Sequence, residues 1–551
     1  MADAAYDALV VGGGHHATII GCYLQKAGLR TAIFERQMEI GGGACVEDLP
    51  APGFVQNPCA HYTRFWTHPA YEDFDLRSKG LVYVFPEANQ GMVFDDETCY
   101  VGYSCLRVAP ETGKEAFSQA HFDKTHREIS RFSSQDADTY ARLFELYRDK
   151  WRGALREYRY NPPTPWGTPN ALERLLEDPE SGIEPVHQFM NGKQIAYDFF
   201  ESPELRTLFM RACGTSAACY PEDVIGIHGM IHTLALVFSW ESASVALGGS
   251  HSISHALQRA FSEMGGKFFV HHEVDKVLVE NGTAVGLRLV DGSEVKATQL
   301  VVSDAGIPQT MFRLLGEEYL TPKQIRRVKN IDYDRIGGWY GNVALHELPE
   351  YKAAAYNPDC GMVPRLYVGP KDPDYAQYYH AEVISKGWGD KLLMLTGSDS
   401  IWDPTKAPAG KHTINIEEMA PPLRFYSERE WLTKKKEFVV SAVKKWEQFA
   451  PNMTMDNVID AFMTTPYDVV QRHPDMIQGS WCSGSMFASQ LDRFRPCPEF
   501  SDYRTPVRNL YTCSANQHSA MGIGRGSSYA AYKVIAQDHG LTKFWESRAS
   551  Q

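Results

Sequence analysis

No Cys-x-x-Cys pair occurs in this chain, although its 551 residues include 11 cysteines. The nearest neighbours, Cys99 with Cys105 and Cys213 with Cys219, have five residues between them. Such spacing excludes zinc knuckles and redox dithiols, and an odd, scattered set is no disulfide framework. Reduced thiols are therefore expected, with a cytoplasmic location and no metal site. No apolar run approaches the ~18 residues of a membrane span, and no signal-peptide pattern opens the chain. Positive charge is scarce, with 55 Lys and Arg against 68 Asp and Glu and a net charge of −13. Nucleic acid, which wants a basic face, is excluded as a partner. Bulk attraction to acidic lipid is excluded too, while a local basic patch leaves peripheral membrane contact open. There is no internal repeat and no low-complexity linker. The remaining composition is that of an ordinary globular protein, 43% hydrophobic and 22% charged. A chain this long exceeds one hydrophobic core, so two or three domains are expected.

The residues that are present are most informative near the start. Tyr6 to Val11 is a short apolar strand, and Gly12-Gly13-Gly14 follows at once. A helix is expected from Thr18 to Ala27, then a second strand from Arg30 to Phe34 that ends in Glu35-Arg36. Strand, glycine turn, helix, strand and acid make up a dinucleotide-binding βαβ unit. The turn fits G-x-G-x-x-A, with Ala17 as the small residue where helix meets strand. Glycines there let backbone N–H groups approach a pyrophosphate, and the helix N-terminus adds partial positive charge. Glu35 follows Gly12 by 23 residues, near the ~20 expected of an acid that binds ribose hydroxyls. A second cluster, Gly41-Gly42-Gly43, lies just past that acid. A simple NAD domain has no need of it, whereas a chain passing under the larger FAD does.

Nucleotide-binding features recur far along the chain. Gly248-Gly249-Ser250 leads into a helix from Ser252 to Met264. Four short strands follow, Lys267–His271, Glu273–Glu280, Ala284–Leu289 and Glu294–Ala297, with Asn281-Gly282 and Asp291-Gly292 as hairpin turns. Leu300 to Ser303 is a further strand. Leu510 to Cys513 is another, and a glycine-containing loop and a helix from Ser527 to Gln537 follow it. Residues 1–110, 247–307 and 471–551 are therefore expected to be three parts of a cofactor domain. Residues 111–246, mostly helical, and 308–470, with strands at Ile336–Leu345, Ala381–Ile384 and Leu392–Gly397, are expected to be two parts of an inserted substrate domain. Gly522-Ile523-Gly524-Arg525-Gly526 is no second dinucleotide site. Eight residues separate it from its strand, and no ribose acid follows on a new strand.

Three stretches carry a family resemblance: Gly12-Gly13-Gly14-His15, Asp403-Pro404-Thr405-Lys406-Ala407-Pro408-Ala409-Gly410-Lys411-His412, and Tyr503 to Tyr511. With them the chain resembles the FAD-dependent phytoene-desaturase-like family of carotenoid desaturases, carotenoid isomerases and retinol saturases. Its nearest resemblance is to the pyridine-nucleotide-disulphide-oxidoreductase-domain proteins. The resemblance implies an α/β fold, a discontinuous Rossmann-type FAD-binding domain of the amine-oxidase and phytoene-desaturase kind with an inserted α+β substrate domain. It implies non-covalent FAD, with Gly12, Gly14, His15 and His16 at the pyrophosphate and Glu35 and Arg36 at the adenosine ribose. It also implies Gly42 and Gly43 under the ribityl and flavin, Val274 pairing its backbone with adenine, and Gly522 and Ile523 at the flavin pyrimidine edge. Two departures stand out. The family's Asn-Gly after the first histidine is His16-Ala17 here, and its Thr-His-Pro-Gly loop is Asn516-Gln517-His518-Ser519-Ala520-Met521.

Flavin enzymes of this kind take hydride from carbon and use a protein base. His61 and His518 are the expected catalytic residues, because the family's fold brings both of their loops to the flavin. Tyr62 and Trp66 are expected to be core, with stacking on substrate as the alternative. Arg525 is a candidate for holding a substrate carboxylate or the flavin. The activity so implied is dehydrogenation of a largely apolar, aromatic or alicyclic small molecule, with oxygen or a quinone as acceptor. A redox-neutral isomerase or saturase, a non-catalytic flavoprotein scaffold and a homo-oligomer all remain open.

Overall fold

A computed structural model describes residues 5–109, 113–335, 337–519 and 522–546. The expected domain limit at 110/111 lies outside them, as do Ile336, Ala520 and Met521. Among the described residues no helix is long and apolar enough to cross a membrane. All eleven cysteines are buried and free.

The fold is α/β and built on two seven-stranded sheets. In the first, Lys267–Phe269, Thr31–Phe34, Ala5–Val11, Glu294–Ser303 and Leu510–Thr512 run parallel. Thr283–Leu289 and Val274–Glu280 extend it as antiparallel strands. A parallel sheet is covered on both faces, so its strands are apolar throughout. Ala8 and Val10 face one hydrophobic core, and Leu9 and Val11 face another. The helices His15–Lys26, His251–Glu263 and Ser527–His539 supply the first of these cores. The first helix lies close on the sheet because Gly21 has no side chain; a Cβ there would come within 2.8 Å of Ile33 Cδ1. Asn281 and Gly282, with φ of +51° and +73°, make the hairpin between the two antiparallel strands.

The second sheet runs in the order Val458–Thr464, Gly337–Leu345, His412–Ala420, Met394–Gly397, Arg365–Val368, Ala88–Val93, Cys99–Tyr103. Helices between residues 119 and 238 pack on one face of it, and the helix Glu428–Trp446 packs on the other through Trp431 and Phe438 against Trp339.

Three expectations are corrected. Glu294–Ala297 and Leu300–Ser303 form one ten-residue strand, because Ala5–Val11 pairs along both halves. Ala381–Ile384 belongs to the helix Pro373–Lys386, where Tyr379 and Val383 bury one face. Ala88–Val93, placed by sequence in the cofactor domain, pairs instead with Arg365–Val368 in the second sheet, and Cys99–Tyr103 pairs with it in turn.

Candidate functional site

The first parallel strand ends at Val11, and the chain turns through Gly12, whose φ of +92° suits glycine alone. Gly12 N–H donates to Phe34 O at 2.8 Å, which ties the turn to the second strand. Gly14 begins the helix with no side-chain cap, so backbone donors stay open at its N-terminus. A Cβ on Gly42 would lie 3.2 Å from Gly14 Cα, so the second glycine cluster lies directly against the first. Glu35 is pinned beside the turn, accepting from Gly13 N–H at 2.6 Å and Gln37 N–H at 2.7 Å.

From this turn a cavity of about 1010 Å³ runs toward the second sheet. Gly12, Gly14, His15, His16, Glu35 and Arg36 line it near the turn. Gly42, Gly43, Val274, Gly522 and Ile523 line it as well. The C-terminal loop therefore meets the N-terminal helix, and Gly522 lies in hydrogen-bonding range of His15. Burial pushes the His15 imidazole down to about 4 and, with His15 and His68 nearby, holds His16 well below its ordinary value, so both are neutral. Nε2 of each has no partner within the protein.

His61 lines the far part of the cavity, its ring stacked on Tyr340 with centroids 5.4 Å apart. Neither of its ring nitrogens has a hydrogen-bond partner. Burial, reinforced by the Lys406 ammonium, pushes its pKa down to about 3. Tyr340 in turn lies 3.9 Å from Trp481, centroid to centroid. Tyr62, expected in the core, belongs to this wall, while Trp66 packs away from it against Phe85.

His518 does not line the cavity. Its Nε2–H donates to Tyr158 O at 2.8 Å, and Nδ1 lies 3.8 Å from the Asp492 carboxylate. Buried and tied to Tyr158 O through Nε2–H, it lies outside the cavity lining that includes His61.

Several lining residues carry no sequence signal. Arg64, Arg159, His232, Arg365 and Glu417 come from separate loops, helices and strands. Asp304 ends the long central strand beneath the turn and accepts from Ala17 N–H at 3.2 Å. Burial, with Asp475 and Glu35 nearby, pushes Asp304 well above the usual carboxylate range. Asp475 is raised to about 6, mainly by burial. A raised carboxylate costs the fold stability as pH climbs from the unfolded value, near 4, to the folded one. Asp475→Asn should therefore match wild type in Tm near pH 4 when flavin is stripped. Its advantage should grow to a plateau above pH 6. Scanning calorimetry across that range checks it; an advantage that is constant with pH would contradict the shift.

Residues 21–333 match the family model described as flavin containing amine oxidoreductase. The chain belongs to that family. Among curated relatives, one component of the limonene dehydrogenase of Castellaniella defragrans is 24% identical over 98% of this chain and 96% of its own. A pyridine nucleotide-disulfide oxidoreductase domain-containing protein 2 of Mus musculus is 26% identical over 97% and 94%. Among solved structures, a putrescine oxidase redesigned in its cofactor binding covers 97% of this chain and 99% of its own, with a TM-score of 0.60 and 14% identity. That likeness is one of fold. As a flavin-dependent oxidoreductase, this protein has a site that suits its cofactor. A Cβ on Gly13, Gly14 or Gly42 would crowd its neighbours, Gly14 gives the helix no side-chain cap of its own, and among the described residues the buried Gln309 Oε1 and His15 Nε2 lack hydrogen-bond partners.

Proposed function

We propose that this family member binds FAD non-covalently and dehydrogenates a carbon–carbon bond in a small molecule with an apolar or alicyclic body. The observation that carries this reading is the single cavity joining the Gly12–Gly14 turn to the wall of Tyr62, Tyr340 and Trp481. FAD in that cavity would supply the hydride acceptor. Backbone N–H groups of the turn and helix would hold its pyrophosphate, and Glu35 its adenosine ribose. Val274, on the adjacent antiparallel strand, would border the adenine. The aromatic wall excludes water and packs a flat or ring-shaped substrate. His61 offers a neutral ring nitrogen beside that wall, to orient the reacting C–H bond or accept its proton. A relative named for limonene supports an apolar substrate. Electrons leave to oxygen or a quinone, since the chain carries no second dinucleotide motif.

Acid precipitation should leave FAD in the supernatant at one per chain, identified by chromatography. Yellow retained in the pellet would overturn the non-covalent assignment. Mixing with NADH or NADPH in a stopped-flow cell should not bleach the visible band at a catalytically useful rate. Rapid bleaching by either would show a nucleotide site that this reading lacks.

A further inference from the structure

Charged side chains line the cavity in two groups. Glu35, Asp304 and Asp475 line it together with Arg36, Arg313 and Arg472, and Asp475 feels Arg36 and Arg313. Arg64, Arg159, Arg365 and Arg525 form the second group. These four lie close enough to act on one another. Arg64 feels Arg365 and Arg159, and Arg525 feels Arg159 and Arg64.

Two carboxylates answer them. Glu241 accepts from Arg64 at 2.9 Å but also from Arg152 at 3.1 Å and from the Tyr147 hydroxyl at 2.7 Å. Glu417 lines the cavity near Arg365 and is itself raised by burial. Glu241 is already shared between Arg64 and Arg152, which leaves Glu417 against Arg159 and Arg365, one positive charge in excess. Arg365 lies over the Tyr62 ring at 4.8 Å, and its Nε has no hydrogen-bond partner. Arg159 Nε is likewise without one. Arg525 Nη2 donates to His232 Nε2 at 2.9 Å, a ring held neutral, with Nδ1–H on Ser216 O at 3.0 Å. That bond brings hydrogen-bond order and no negative charge. Burial, with Arg159 nearby, pushes Arg525 down to about 9. Guanidiniums gathered in a closed cavity are costly unless an anion joins them, and their planar fork matches a carboxylate.

We propose that the substrate bears a carboxylate, seated among Arg159, Arg365 and Arg525, with its apolar body against Tyr62, Tyr340 and Trp481. This deepens the reading above and rests on it, since FAD must occupy the part of the cavity beside the glycine turn. The substrate class is then an amphipathic acid rather than a plain hydrocarbon. A bare hydrocarbon would leave the arginine excess uncompensated.

Three probe pairs test this on the flavin-loaded protein by calorimetry: benzoate with benzyl alcohol, cyclohexylacetate with 2-cyclohexylethanol, and decanoate with 1-decanol. At least one acid should bind about 10-fold or more tighter than its alcohol, a difference of about 1.4 kcal/mol. Arg365→Met and Arg159→Met should each cut that ratio to about 2-fold or less, while Arg365→Lys retains part of it. The two methionine variants keep the test alive should one fail to fold. Equal binding of acid and alcohol in all three pairs would overturn the proposal. So would methionine variants that shift flavin content or spectrum and leave the acid preference intact, because the arginines would then serve the cofactor. A colourless wild-type protein that still prefers acids would instead sink the FAD assignment alone.

Discussion

Gly14→Val should give a folded protein without colour. The glycine lies where the turn becomes a helix, and a Cβ there would approach Asp304 Oδ2 to 2.5 Å. That oxygen is the end of a side chain, yet it is buried and bonded to Ala17 N–H, so it yields little. Alanine at this position should weaken FAD and leave the protein partly yellow. Valine adds two methyl groups that project toward the open helix N-terminus, where the pyrophosphate is to lie. An affinity loss of about 100-fold, or about 2.7 kcal/mol, would empty the site during purification. The ratio of absorbance near 450 nm to that at 280 nm reads the occupancy. Circular dichroism should stay native, and added FAD should fail to restore colour. A Gly14→Val protein carrying one flavin per chain would mean that the cofactor does not cross this turn.

The parts of the site legible in the sequence are those where backbone geometry dictates residue type. Gly12, at φ +92°, and Gly42, pressed on Gly14, are readable because any side chain there is excluded. Glu35 is readable because one strand and one helix fix its distance from the turn. Val274 and Gly522 came from the family resemblance, and both line the cavity. Residues that reach a site only through tertiary packing leave no such mark. Arg159 closes a helix, Arg365 opens a strand, and Arg64 lies in a loop; as single arginines each would pass for a surface residue. The direction of His518 is hidden from the sequence for the same reason. Its loop does approach the cavity, since Asn516 and Gly522 line it, but which side chain turns inward depends on packing against Tyr158. Ala381–Ile384 went astray on local composition, because its Val and Ile favour a strand until the whole segment's burial is known. The unbroken strand Glu294–Ser303 was split at Thr298-Gln299, two polar residues that point outward at its midpoint.

His61→Ala and His518→Ala should part company, and the contrast decides the catalytic assignment. In His518→Ala a buried ring is lost and Tyr158 O loses its N–H donor. Such a loss costs typically about 1–3 kcal/mol of stability. Tm should fall by a few degrees while the rate of flavin bleaching by substrate stays near that of wild type. In His61→Ala no hydrogen bond within the protein is broken, because neither ring nitrogen has one. Stability should change little beyond the lost stacking on Tyr340. The single-turnover rate should instead drop by about 10²–10⁴-fold, the range of a positioned acid–base group. With its pKa near 3 in the free protein, His61 is neutral from pH 5 to 8. The pH profile of kcat/KM should therefore show no step near 6.5 that belongs to this ring. A carboxylate held among Arg159, Arg365 and Arg525 would add negative charge in the same chamber and favour the protonated ring. His61 would then become a stronger base once substrate is seated, and a step absent from kcat/KM would emerge in kcat. Matched rates for His61→Ala and wild type would place the proton acceptor elsewhere and leave His61 as part of the aromatic wall.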